Sequence, residues 1–383
     1  MNTLLSDTEL LTRLVAFDTT SCNSNLPLVD FLCDYLDRPG IEIVRNESPD
    51  GDKANLVVFV GPPVEASRQG LVLSGHMDVV PAEEPEWQGD PFRLRDAEDR
   101  LIGRGSSDMK GFVALAANRA ARLDPSRLRH PLVLLLTYDE ELGTLGAHHF
   151  VDTWPRQRTL PRNVIIGEPT SLKVVRLHKG HLKMRIQLDG VPAHSGYPHL
   201  GHNAIEPAGR VIQALASLRR ELEKERPENH HFFPQVPFVA LNVARVEGGT
   251  AINIVPERCT VELGARVLPG MTSDTLVDRI RDAVETVTRG ERCTVELTGD
   301  SPPMLLESEA PICRCLYRLT GQQDTVSASF ATDAGWLQHL GLDCTIFGPG
   351  SIEVAHKPEE FIPKSELFQA GEMLDELIPQ LCQ

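Results

Sequence analysis

The chain has 383 residues, 41% hydrophobic and 24% charged, with a formal net charge of −16. That length calls for about two domains with separate cores, and the acidic balance excludes a nucleic-acid backbone or an anionic membrane surface as partner. No apolar run approaches the roughly 18 residues that cross a bilayer, and the opening MNTLLSDTEL lacks the basic and apolar halves of a secretory leader, so a cytoplasmic protein is expected.

Ser6 and Glu9 form a capping-box pattern ahead of Leu10, Leu11, Leu14 and Val15, which share one helical face. Strand-length apolar runs follow at Leu56–Val60, Leu71–Ser74, Leu132–Thr137, Val164–Ile166 and, much later, Thr345–Phe347. They are nearly continuous rather than alternating, as strands covered on both faces by helices are. The Ala- and Leu-rich stretch Asp108–Leu123 reads as a crossover helix. From about residue 176 the pattern changes. His181–Leu188, Phe238–Val246 and Cys259–Val267 alternate apolar with polar residues, with helical periodicity at Asn203–Leu222 and Leu276–Val287 among them. After Ser301-Pro302-Pro303 the chain returns to α/β character and ends in an amphipathic stretch from Ser365 to Leu381. The expected fold class is α/β. A discontinuous domain, residues 1–175 and 300–383, has a mostly parallel mixed sheet flanked by helices, and it carries an α+β insert, residues 176–299, of about four antiparallel strands and two helices.

Eight cysteines are scattered, and Cys313 and Cys315 are too closely spaced for a zinc knuckle or a redox pair, so free thiols are expected. Any metal would then be held by His and carboxylates. Open α/β sheets bind their ligands just beyond the carboxyl ends of the strands, and here those positions are acidic or His. The run from Leu71 leads to Gly75-His76-Met77-Asp78, that from Leu132 to Asp139-Glu140-Glu141, that from Val164 to Glu168, and the last to a loop containing His356. Asp108 opens the crossover helix. Each has an ordinary reading on its own: a hydrogen-bonded strand-end His, an acidic turn, a helix N-cap, a loop His. Together, His76, Asp108, Glu141, Glu168 and His356 flank different core strands, and five such ligands exceed what one open zinc needs. A pair of divalent ions sharing a carboxylate fits the count. Asp78 is placed to orient His76. Glu140, turned the other way from Glu141 along an extended chain, is placed as general base for a metal-activated water that attacks an amide carbonyl.

The stretches SGHMDVVP, GRGSSDMKG, YDEELG, IIGEPTS, HKGH, AHSG, RVLPGM and GPGSIEVAHKPEE occur in order over nearly the whole chain. They resemble the M20 metallopeptidases, in particular the acetylornithine and acetylcitrulline deacetylase branch. The resemblance implies two divalent ions per chain, zinc first and cobalt second, with His76 and Glu168 on one, Glu141 and His356 on the other, and Asp108 bridging. It also implies Glu140 as base, Asp78 behind His76, a cis Asp108–Met109 peptide, and an insert acting as a lid and homodimer interface. His194 is implied to steady the tetrahedral oxyanion, and Arg266 and Asn253 to meet the substrate's carboxylate end.

The function so implied is hydrolysis of an N-acetyl amino acid of arginine biosynthesis, N-acetyl-L-ornithine or N-acetyl-L-citrulline, to acetate and the free amino acid. A dipeptidase or a succinyl-diaminopimelate desuccinylase would use the same centre, although the latter needs a second cationic clamp that is not evident. A non-catalytic metal-bound dimer module is a further alternative, against which Glu140 speaks. A nucleotide-binding protein lacks its glycine-rich loop here. The remaining His178, His181, His148, His149, His230 and His231 are assigned packing or surface duty.

Overall fold

A computed structural model describes residues 4–383. Contacts divide the chain into two compact units, one running to Arg176 and resuming with Leu306–Val326 and Thr332–Gln383, the other formed by Leu177–Leu305 with Ser327–Ala331.

In the first unit the Ser6 hydroxyl accepts the Glu9 N–H and the Glu9 carboxylate accepts the Ser6 N–H, so the helix Asp7–Val15 begins at the expected capping box. The sheet orders its strands as Ile41–Glu47, Ala54–Val60, Leu132–Thr137, Leu71–His76, Asn163–Ile166 and Asp343–Ile346. The first two pairings are antiparallel and the next three parallel. Leu71–His76 and Leu132–Thr137 are buried at every residue, because helices cover both faces. The strand Ile41–Glu47, absent from the sequence reading, stands at the edge; its half-exposed, charged residues give no apolar run to detect.

The crossover helix begins at Gly111, not at Asp108, and buries Gly111 through Ala121 before ending at Arg122. Side chains such as Phe112 and Leu115 each contribute about 1.5–3 kcal/mol by leaving water. Asp108 is therefore no helix N-cap. It stands in the single turn Ser106–Lys110, where its own backbone angles and those of Met109 are non-helical, and its peptide bond to Met109 is cis.

The second unit is a four-stranded antiparallel sheet ordered Ala240–Gly248, Arg258–Val267, Gly180–Asp189 and Arg292–Ser301. Helices Ile205–Leu222 and Ser273–Val287 belong to this unit and bury Val211, Leu215, Ile280 and Val284 in one core with Leu182, Met184, Ile186 and Leu188 of the central strand. The alternate residues of that strand face away, where Arg185 pairs with Glu262 at 3.1 Å. Ser327–Ala331, expected to lie in the first domain, belongs here because the Lys179 N–H donates to the Ala328 carbonyl and the Ser327 hydroxyl to the Phe232 carbonyl. All eight cysteines are unpaired, as expected; Cys259, Cys313, Cys344 and Cys382 are buried and Cys22 is exposed. No described helix is long and apolar enough to cross a membrane.

Candidate metal centre

The parallel strands deliver their polar side chains to one sheet edge. His76 closes its strand with the ring buried. Its Nδ1 lies 2.9 Å from the main-chain oxygen of Asp78 and 3.5 Å from the Asp78 carboxylate, so the nearer acceptor is the backbone rather than the side chain. A proton held at Nδ1 leaves the Nε2 lone pair for a ligand. Nε2 lies 3.0 Å from Oδ1 of Asp108.

The other oxygen of Asp108, Oδ2, lies 3.3 Å from Nε2 of His356, which in turn lies 2.9 Å from Oε1 of Glu141. Two groups share Asp108: His76, Asp108 and Glu168, and Asp108, Glu141 and His356, with donor atoms in each group all within 4.8 Å of one another. Ligands about 2.0–2.2 Å from a common ion stand about 3–4 Å apart, so a divalent ion fits each group on both spacing and donor chemistry. Glu168 follows Gly167, where a Cβ would come 1.9 Å from the Phe112 ring; only Gly lets the chain pass there.

The three consecutive acids after Leu132–Thr137 have three different surroundings. Asp139, in the left-handed region at φ 49, is held by Lys53 Nζ at 2.6 Å from both carboxylate oxygens. Glu141 reaches His356. Glu140 and Glu141 are separated by a turn, in which Gly143 and Thr144 donate to the Glu140 carbonyl, and not by the extended-chain alternation expected from sequence. The Asp78 carboxylate accepts from Ser21 Oγ at 2.7 Å and from the N–H groups of Glu140 and Glu141 at 3.0 and 3.2 Å.

Electrostatics mark the cluster as one built for cations. Burial, then repulsion from Glu168, holds the Glu140 carboxyl well above the usual range, and burial with the Asp108 charge does the same to Glu168. Burial and Asp108 also raise Glu141. Asp108 is pushed up by burial but held below its ordinary value by His356 and His76, and His356 is raised to about 10 by Asp108 and Glu141. Acids that resist ionising beside imidazoles that resist neutralising are relieved together by bound positive charge.

Sequence reasoning missed two buried acids here. Asp333 accepts from the Thr137 hydroxyl at 2.6 Å through Oδ2, while Oδ1 is buried with no hydrogen-bond partner among the described residues, and burial pushes its carboxyl up to about 6. Glu360 grips the loop that carries Asp108. Neither follows a strand end, so the pattern that found the others gave no signal for them.

Within the second unit, His194 is exposed and its Nδ1 accepts the Gly196 N–H at 3.0 Å. Asn253 is also exposed, and its carbonyl accepts the Ser195 N–H at 2.9 Å, so the structure brings these two residues onto adjoining loops. Arg266 stands opposite His181 in the sheet, is half-buried, and makes no ion pair among the described residues. Burial lowers His181 to about 4 and Lys179 to about 8, and in each the Arg266 charge adds to the effect.

The profile for peptidase family M20/M25/M40 matches residues 72–380. Acetylornithine deacetylase of Proteus mirabilis (strain HI4320) is 34% identical over 96% of this chain and 93% of its own, and that of Myxococcus xanthus is 32% identical over 97% and 96%. Among solved structures, an M20 family metallo-carboxypeptidase from Sulfolobus solfataricus superposes with a TM-score of 0.77 at 18% identity, covering 98% of each chain. An aminopeptidase from Bacillus cereus gives 0.74 at 18% identity, covering 99% of this chain and 100% of its own. This chain belongs to the M20/M25/M40 peptidase family and is a metal-dependent amidohydrolase.

Proposed function

We propose that the protein removes the acetyl group from an N-acetyl amino acid of arginine biosynthesis, N-acetyl-L-ornithine or N-acetyl-L-citrulline, releasing acetate and the free amino acid in the cytoplasm. The observation that carries a two-ion reading is the division of Asp108, whose Oδ1 faces His76 and whose Oδ2 faces His356. The choice of substrate leans on the named activity of relatives that match over nearly the whole chain.

His76 and Glu168 would hold one ion, Glu141 and His356 the other, with Asp108 between them; zinc suits these donors and cobalt is the second choice. When bound, such ions polarise an amide carbonyl and lower the pKa of water. Glu140, the remaining acid of the turn, takes the proton from the attacking water and returns it to the leaving amine nitrogen. Asp78 holds the turn that carries Glu140. Because Nδ1 of His194 accepts a backbone N–H, the neutral ring carries its proton on Nε2, the form able to donate to an oxyanion. Arg266, which has no ion-pair partner among the described residues and stands beside Lys179 and His181, is an anion seat suited to the substrate's carboxylate, with Asn253 as a second contact.

The second unit is also proposed as the homodimer interface. Its adjoining loops expose Val191, Tyr197, Leu200, Ile252 and Ile254, an apolar surface of the kind that marks association sites. The deciding experiment is a panel of zinc-loaded reactions with acetylornithine, acetylcitrulline, acetylmethionine, a dipeptide and succinyl-diaminopimelate, measuring released amine. A preference of about tenfold or more for the first two is expected, a difference of about 1.4 kcal/mol; equal rates across the panel would remove the arginine-pathway assignment.

A further inference from the structure

The loop from His356 to Glu360 carries two non-glycine residues in the left-handed region, His356 at φ 60 and Glu359 at φ 59. Such backbone persists only where surrounding contacts over-determine it. The contacts are specific. The Glu359 carboxylate accepts from the Gln88 N–H at 2.9 Å and from Arg95 at 2.6 Å, and the Glu360 carbonyl accepts the Gly103 N–H at 2.9 Å.

The Glu360 carboxylate is 1% exposed and receives four donors. Arg104 Nη1 and the Gly105 N–H meet Oε2 at 2.8 and 3.1 Å, and the N–H groups of Ser107 and Asp108 both meet Oε1 at 3.0 Å. Arg104 is itself buried and tied to the Pro81 and Lys357 carbonyls. The last of the four donors is the backbone of Asp108, the residue shared by both donor groups. Four residues before Glu360 on the same loop stands His356, the partner of Asp108 Oδ2. One carboxylate therefore fixes both the main chain that presents Asp108 and the loop that presents His356.

We propose that Glu360 is a positioning residue for the metal centre, acting through Asp108: its carboxylate sets the separation of Asp108 and His356 at which the second ion is held. Only a carboxylate suits the place, because both oxygens accept. An amide would turn an NH2 group toward N–H donors. The inference rests on reading Asp108 as a metal ligand.

The test compares the full-length wild type with Glu360→Gln, Glu360→Asp and, as a control, Asp375→Asn, which loosens the ion pair of Arg119 with Asp375. Zinc affinity is measured by competition with a chromophoric chelator, and thermal unfolding of the metal-free proteins is followed in parallel. Wild type is expected to hold two zinc ions, Glu360→Gln to bind the weaker one about 10–100-fold less tightly, and Asp375→Asn to stay within about threefold. Should Glu360→Gln fail to fold, Glu360→Asp decides, since it keeps the charge and shortens the reach by one methylene; it is expected to lose about tenfold. A purely structural role would lower the metal-free unfolding midpoint while leaving the zinc affinity of the folded variants within about threefold of wild type, and that result overturns the proposal. Failure of the underlying reading shows differently, as a wild type that holds no zinc.

Discussion

Oδ1 of Asp78 accepts the backbone N–H of Glu140 at 3.0 Å. With the neighbouring bond to Glu141, one buried side chain fixes the start of both acids, and the main-chain carbonyl of the same residue orients His76. Replacing Asp78 with Ala removes the acceptor of two part-buried N–H groups and leaves the Ser21 hydroxyl only the longer contact to the Val79 carbonyl, at 3.4 Å. We expect Asp78→Ala to lower kcat about 10–100-fold, with a smaller effect on KM. Steady-state kinetics at saturating zinc checks this, and an unchanged kcat would show that the turn holds itself.

Glu140 and Glu141 are adjacent but face different work. Glu140→Gln keeps the shape and removes the proposed base, so turnover is expected to fall about 10²–10⁴-fold while zinc stays near two per chain. Glu141→Gln is expected to lower the zinc content instead. Metal analysis of both variants separates the roles; loss of zinc from the Glu140 variant would exchange them.

His194 lies in the second unit, exposed. If its Nε2–H meets the oxyanion, His194→Ala lowers kcat about 100-fold, as losing one such donor does, without altering zinc content. A rate within about threefold of wild type, well short of that, takes it out of the mechanism.

His178 is buried, its Nδ1 is 3.0 Å from the Lys179 carbonyl, and burial lowers its pKa to about 4. The unfolded chain, with a His pKa of about 6.5, binds the proton more readily, so stability is lost as pH falls from about 6.5 to about 4. The difference is on the order of 3 kcal/mol at 1.36 kcal/mol per unit. His178→Leu cannot take the proton; its unfolding free energy is expected to gain on wild type by about that amount between pH 7 and pH 4. Parallel denaturant titrations at the two pH values check this, and curves that keep a constant offset refute it.

Gly167→Ala is expected to cost about 1–3 kcal/mol, because its Cβ would enter the Phe112 ring. Phe112→Leu in the same chain should recover part of that loss, measured as a coupling in a double-mutant cycle.

Much of this centre was legible in the chain because parallel strands advertise themselves. The strands Leu71–His76 and Leu132–Thr137 open on unbroken apolar runs, so the His and acids that come a few positions later, His76, Glu140 and Glu141, had to stand at the sheet edge. The capping box at Ser6 and the alternation of Gly180–Asp189 are likewise local, written in side chains a few residues apart. What only the tertiary structure decided is relational. By sequence Asp108 fits a helix N-cap, but the helix starts at Gly111, and nothing local says that one of its oxygens meets His76 while the other meets His356, 248 positions further on. Asp139 met Lys53 instead of sharing its neighbours' surroundings, and Glu360 met four donors from a loop more than 250 positions earlier. Periodicity fixes which face of a strand or helix is apolar, because it reports burial along one element. The partner that a polar atom finds across the fold depends on how elements distant in sequence pack, and no residue carries that information alone.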